Sequence, residues 1–209
     1  MSVEHPGETP PAAAASASKE RLRREIRDRL RAMTADERDH GSRRIVEALR
    51  AEPEYANARS ILFYVPIGSE PDLRPAIEAA QARGGLVLLP RSRRDPPAIE
   101  LAALGAERLD QLPLDELRVP APTGPAVDPR TVDLAVVPGV AFDADGGRLG
   151  RGGGFYDRLL AALSPATAVI GVCFERQLVE RVPRESHDHR VQAVIAEGGR
   201  VRKIGPSGL

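Results

Sequence analysis

Leu22, Ile26, Leu30 and Met33 recur at helical spacing with arginines on the other faces, so the chain from Ser18 predicts an amphipathic helix. Thr34-Ala-Asp-Glu37 has the spacing of a capping box and opens a second helix that buries Ile45, Val46 and Leu49. The period then changes. Residues 61–65 read as a strand, 73–82 as a helix, 86–89 as a strand closed by Pro90, and 98–104 as a further strand. Residues 112–129 form a Pro-rich connection with patchy structure, and 133–137 a buried strand stopped by Pro138-Gly139. A helix starting near Tyr156, a strand over 167–174, a short helix over 176–181 and a last core strand over 191–196 complete the pattern. Residues 1–17, rich in Pro, Ala, Ser and Gly, predict a disordered tail ahead of a single domain over 18–209. This alternation implies a three-layer α/β/α fold around a mostly parallel sheet. Pro66, Pro90 and Pro138 each follow a predicted strand, so the segments after them should gather at one rim, where such sheets bind ligands.

The segment Arg148-Leu-Gly-Arg-Gly-Gly-Gly-Phe-Tyr-Asp-Arg158 lies in a strand-to-helix connection and carries the densest chemistry. Gly152, Gly153 and Gly154 allow positive φ and let backbone N–H groups converge on an anion at a helix N-terminus. Arg148 and Arg151 add forked donors that suit phosphate oxygens, and Asp157 supplies a carboxylate where a phosphate-bound magnesium would need one. The competing explanation is a solvated turn. A P-loop is excluded because no Lys-Ser/Thr follows the glycines, and a dinucleotide fingerprint fits neither the spacing nor the late position in the chain.

Composition narrows the field without choosing within it. The 209-residue chain carries 30 Lys+Arg against 30 Asp+Glu, so no bulk charge draws it to nucleic acid or to an anionic membrane. Cys173, the single cysteine, sits in an apolar strand pattern and reads as a buried, inert thiol in a reducing, cytoplasmic setting. No stretch has the length and apolarity of a membrane span. His187-Asp188-His189 invites a zinc site but lacks further ligands to complete one.

Pro138-Gly-Val-Ala-Phe-Asp143 followed by the glycine segment resembles the signature of the 5-formyltetrahydrofolate cyclo-ligase family. Lys19-Glu-Arg-Leu-Arg23, Ile61-Leu-Phe-Tyr-Val-Pro66 with Glu70 and Asp72, Leu89-Pro90-Arg91, and Pro183 to Asp188 resemble further elements of that family in the same order. The resemblance implies a sheet similar to the glucosamine-phosphate deaminase, ribose-phosphate isomerase and CoA-transferase group. It also implies ATP-dependent cyclisation of 5-formyltetrahydrofolate, with or without a polyglutamate tail, to 5,10-methenyltetrahydrofolate, with Mg²⁺ as cofactor. A monomer without nucleic-acid or membrane partners is expected.

Carried over residue by residue, the resemblance places Lys19, Arg23, Arg148, Leu149, Gly150, Arg151, Gly152, Gly153, Gly154, Phe155 and Tyr156 at ATP. It places Pro66, Glu70, Asp72, Arg151, Gly154 and Phe155 at the folate, Asp157 and Asp188 at the metal, and gives Arg151 and Asp157 the catalytic roles. Either Glu70 or Asp72 can supply the carboxylate that takes the pterin N–H groups, with Glu70 favoured; without the resemblance both read as caps of the following helix. Arg91 is an additional candidate contact. Two departures stand out: Gln192 where relatives carry an acid, and Phe155 where tyrosine is more usual. The alternatives are a sugar-phosphate isomerase or CoA-transferase chemistry, for which no base or acyl-accepting carboxylate is evident, and a non-catalytic nucleotide- or RNA-binding relative.

Overall fold

The structure is a computed structural model that describes residues 12–94, 98–185 and 188–203. Helix α1 (Ala12–Arg31) and α2 (Ala35–Ala51) come first, followed by the short α3 (Pro53–Asn57). The start of α1 at Ala12 places residues 12–17 in a helix, where a disordered tail was expected; the rest of that stretch lies outside the described residues. At the start of α2, Thr34 Oγ1 accepts from Glu37 N–H at 3.1 Å while Thr34 N–H donates to Glu37 Oε2 at 2.7 Å. This reciprocal capping box satisfies two donors that would otherwise be orphaned.

Strands β1 (Ser60–Leu62), β2 (Leu86–Arg93), β3 (Ala98–Ala103), β4 (Ala126–Val127) and β5 (Leu134–Val137) follow, with α4 (Arg74–Ala82) between β1 and β2. A small hairpin, β6 (Ala141–Phe142) and β7 (Arg148–Leu149), precedes α5 (Phe155–Ala162), and β8 (Ala168–Val172), β9 (Ala193–Ala196) and β10 (Gly199–Lys203) complete the order. The main sheet runs β10-β9-β8-β5-β1-β2-β3-β4. Its five central strands are parallel, and β10, β3 and β4 add antiparallel edges.

Side chains alternate across this sheet as period-two geometry requires. Ile61, Leu134, Val136, Ile170 and Ile195 pack with α1, α2 and α4, whereas Leu62, Ala135, Val137 and Val194 pack with Leu159, Leu160 and Leu163 of the α5 side. The layers are therefore unequal: four helices on one face and α5 on the other. Ile26, Leu30 and Met33 are buried in the first layer as their spacing predicts.

Three further expectations change. Pro90 does not close β2; it pairs with Leu101 inside the β2–β3 ladder. Phe63 N–H donates to Leu88 O, so the backbone of Leu88, and of Pro90 two residues on, faces β1, which has ended at Leu62. No neighbour there requires the donor that proline lacks. The helix expected over 176–181 is reduced to a single 3₁₀ turn over Glu175–Gln177. The strand before the glycine loop does not lead straight into it, because the β6–β7 hairpin intervenes. That hairpin is pinned by Asp143, which is buried and accepts from Asp145 N–H, Gly147 N–H and Val182 N–H at 2.9, 2.7 and 2.8 Å.

Candidate active site

A cavity of about 680 Å³ opens beyond the carboxyl ends of β1, β2 and β5 and is roofed by Ser16, Lys19 and Arg23 of α1. The glycine loop forms one wall. Gly152 (φ 106°) and Gly154 (φ 63°) occupy backbone conformations that favour glycine, and Gly154 caps the N-terminus of α5. Donors at the start of an α-helix without a side-chain cap are suited to an anion. Leu149, Gly150, Gly153, Phe155 and Tyr156 also line the cavity.

The cationic groups at this wall are held by specific partners. Lys19 Nζ, buried, donates to Glu185 Oε2 and Asp188 Oδ2 at 2.7 Å each. Burial disfavours its charge, but the hydrogen bonds to Asp188 and Glu185 outweigh that and raise its pKa above the ordinary lysine value. Arg23, one turn along α1, donates through Nε to Gly150 O at 2.9 Å, fastening the helix to the glycine loop. Arg21 and Arg24 face solvent, as expected.

Arg148 and Arg151 part company. The side chain of Arg148 is 2% exposed and donates through Nη2 to Asp157 Oδ1 at 2.6 Å, with Nη1 3.4 Å from Pro138 O. Its fork, expected at phosphate, is committed to Asp157, and its Nε has no partner among the described residues. Arg151 is 59% exposed and reaches across the cavity mouth to Glu70 Oε1 at 2.7 Å.

Glu70 and Asp72 are separated by the same kind of evidence. Glu70 lines the cavity and accepts Ile67 N–H at 2.9 Å; burial raises its pKa despite the opposing charge of Arg151. The Asp72 carboxylate is held by Arg74, with bonds of 2.9, 2.9 and 2.5 Å, and lies outside the cavity lining. Pro66 is likewise outside the lining. Arg91 turns away to Pro122 O, Gly124 O and Glu100. Gln192 also stands apart, bonded to the backbone of Val169 and Thr167 beside β8. Phe155 retains its place in the cavity wall, with the Arg158 guanidinium 5.0 Å from its ring centre.

Glu185 was not singled out by sequence; its contact with Lys19 spans 166 positions, and no local pattern announces it. Cys173 is buried, and burial pushes its thiol pKa upward, which keeps it unreactive. His187 lies outside the described residues, and among the described residues no group of three or more His, Cys, Asp or Glu could hold a metal. Asp157 and Asp188 nevertheless both reach the cavity wall, with side chains 26% and 12% exposed. Such oxygen donors fit Mg²⁺, which takes most of its coordination from phosphates and water.

Fold and site together define an α/β protein that presents a glycine-rich helix N-terminus and a largely buried carboxylate to one cleft at the carboxyl rim of its sheet. The chain belongs to the 5-formyltetrahydrofolate cyclo-ligase family, whose profile matches residues 15–197. It is 35% identical over 143 residues to the 5-formyltetrahydrofolate cyclo-ligase of Mycolicibacterium smegmatis, covering 66% of this chain and 74% of the relative. The mouse 5-formyltetrahydrofolate cyclo-ligase is 28% identical over 194 residues, covering 87% and 95%. The NMR structure of Aquifex aeolicus 5,10-methenyltetrahydrofolate synthetase superposes with a TM-score of 0.78 at 30% identity, covering 91% of this chain and 95% of that one.

Proposed function

We propose that this chain catalyses the ATP-dependent closure of 5-formyltetrahydrofolate to 5,10-methenyltetrahydrofolate, releasing ADP and phosphate. The observation that carries this reading is that the glycine loop, Lys19, Glu70, Asp157 and Asp188 all line one cavity and all fall within the family match. An N-formyl oxygen is a poor leaving group, so ring closure needs it converted to a phosphate ester. The formyl oxygen attacks the γ-phosphorus and ADP departs; N10 adds to the formyl carbon, the C–O bond breaks, inorganic phosphate leaves, and N10 gives up its proton. Such chemistry depends on positioning and charge neutralisation, so no serine or cysteine nucleophile is required.

In this proposal Lys19, Arg23, Arg151 and the loop amides hold the triphosphate. Arg148 acts on it indirectly by fixing Asp157. Glu70 takes the pterin N–H groups, which replace Arg151 as its partner. Asp157 and Asp188 would hold Mg²⁺, which neutralises charge on the phosphates. No helix among the described residues is long and apolar enough to cross a membrane; we place the enzyme in the cytoplasm as a monomer. The test is absorbance of methenyltetrahydrofolate with purified protein, ATP, Mg²⁺ and 5-formyltetrahydrofolate. Product should require all three additions, and equal product without ATP would reject the mechanism.

A further inference from the structure

Asp143 is a buried charge to which the reaction above gives no role. It is 1% exposed, lies outside the cavity lining, and pairs with no cation among the described residues. A buried carboxylate is costly unless hydrogen bonds replace its water. Backbone N–H groups do so here: Oδ1 accepts from Asp145 and Gly147, and Oδ2 accepts from Val182. The first two bonds close the β6–β7 turn. The third reaches a segment 39 positions on, which a turn by itself has no need to hold. Gly147 makes room for the arrangement, since a Cβ there would overlap the Asp143 carboxylate.

The segment so held carries Glu185 and Asp188. Val182 N–H bonds Asp143 just before them, and Val191 N–H bonds Gly146 O at 3.0 Å just after them. A further bond, from Val179 N–H to Phe142 O at 2.9 Å, fastens the start of the segment to β6. Between these ties Glu185 N–H donates to Asp188 Oδ2 at 2.7 Å, which orients that carboxylate. The other arm of the hairpin serves the opposite wall: β7 bears Arg148, whose Nη2 holds Asp157. The hairpin therefore stands between Asp157 and Asp188. The tie to Val182 is made by a side chain, and the same carboxylate shapes the turn that presents Gly146 O to Val191.

We propose that Asp143 is a positioning residue for the metal: by joining hairpin and segment it sets where Asp188 stands relative to Asp157, and so how tightly the two take a divalent cation beside ATP. The inference rests on the proposed function, in which Asp157 and Asp188 hold Mg²⁺. Asp143 itself touches neither substrate nor metal. Loss of a partner one step removed from the ligands typically weakens metal binding roughly 10- to 100-fold.

The test is Mn²⁺ binding in the presence of a non-hydrolysable ATP analogue, read by electron paramagnetic resonance, in the wild type, Asp143→Asn, Asp188→Asn and the double variant. Mn²⁺ accepts the same oxygen ligands as Mg²⁺. A smaller folded fraction lowers the number of sites and leaves the dissociation constant alone. Asparagine offers one acceptor oxygen and turns its NH₂ toward the remaining donors, so either the turn or Val182 loses its bond. Asp143→Asn should raise the constant roughly tenfold. In the Asp188→Asn background the same substitution should raise it less than about twofold, because the group it positions is gone. Gly147→Ala crowds the same carboxylate and keeps its charge; it should repeat the pattern, and it carries the test if Asp143→Asn does not fold. Thr34→Ala loses a helix cap away from the cavity, so it should lower stability with the constant unchanged. A constant unmoved by Asp143→Asn and Gly147→Ala, a rise as large in the Asp188→Asn background, or an equal rise in Thr34→Ala overturns the positioning role while ring closure stands. A wild type that binds no Mn²⁺ with the analogue overturns the metal assignment of the proposed function, and this inference with it.

Discussion

Two ion pairs flank the glycine loop three residues apart and are mirror images of each other. In Arg148–Asp157 the cation is 2% exposed and the carboxylate 26%; in Arg151–Glu70 the cation is 59% exposed and the carboxylate 12%. The first pair buries a guanidinium in order to hold a carboxylate at the cavity wall. The second buries a carboxylate and leaves a guanidinium exposed to water. Identical residue types thus take opposite tasks because β7 fixes Arg148 in the interior, whereas Arg151 lies on the loop beyond it. The difference teaches which member of each pair is costly to leave alone: the buried one, because water cannot replace its lost partner.

The largest effect should come from Asp157→Asn. It leaves Arg148 as a buried cation facing a neutral amide, and the loss of such a counter-charge costs about 3 kcal/mol. Urea unfolding should show a lowered midpoint with an unchanged slope. The kcat should fall strongly and be partly relieved by raised Mg²⁺, because the residual oxygen still binds metal weakly. A variant as stable as the wild type would remove the basis for treating the two pairs as opposites.

Lys19→Met should come next. It removes the cation that bridges Glu185 and Asp188, so the roof of the cavity keeps only Arg23 of its two positive charges where a triphosphate would bind. Loss of one charge-assisted contact is worth about 1.5–3 kcal/mol, so the KM for ATP should rise roughly 10- to 100-fold. The KM for the folate should change far less. Equal rises in both constants would mean that Lys19 organises the whole cavity and is not specific to its phosphate end.

How much of this was legible in the chain depends on the range of the interaction. The amphipathic face of α1, the capping box at Thr34 and the left-handed glycines before α5 are set by neighbours within a few positions, and each lies where its pattern places it. The choice between Glu70 and Asp72 had a local signal too: Asp72 has an arginine two residues on, and the same spacing joins Asp128 to Arg130. Glu185 and the divergence of Arg148 from Arg151 were not legible, because they depend on contacts made through the sheet and across distant segments. Pro90 misled for a related reason: its tolerance depends on where β1 ends, which its own neighbours do not encode.

The smallest stability effect should belong to Glu70→Gln, the counterpart of Asp157→Asn in the other pair. The glutamine can still accept Ile67 N–H, and the cation left behind, Arg151, is exposed to water. Replacing a buried carboxylate by a neutral isostere while its partner remains solvated should change stability by no more than about 1 kcal/mol. The sign should depend on pH. Burial raises the Glu70 pKa above its ordinary value of 4.5, so the folded state holds the proton more tightly than the unfolded chain does. Its stabilising contribution is complete below the ordinary value and is lost as pH rises through the folded value. The wild type should therefore weaken relative to Glu70→Gln between acid and neutral pH, so the Tm difference should move in favour of the variant over that interval. Folate binding should move the other way, since the neutral amide is a poorer acceptor for the pterin N–H groups, and the KM should rise without the acid limb expected of the wild type. A Tm difference that is flat with pH would show that Arg151 fully compensates the buried carboxylate, leaving the pair balanced and not poised to exchange partners.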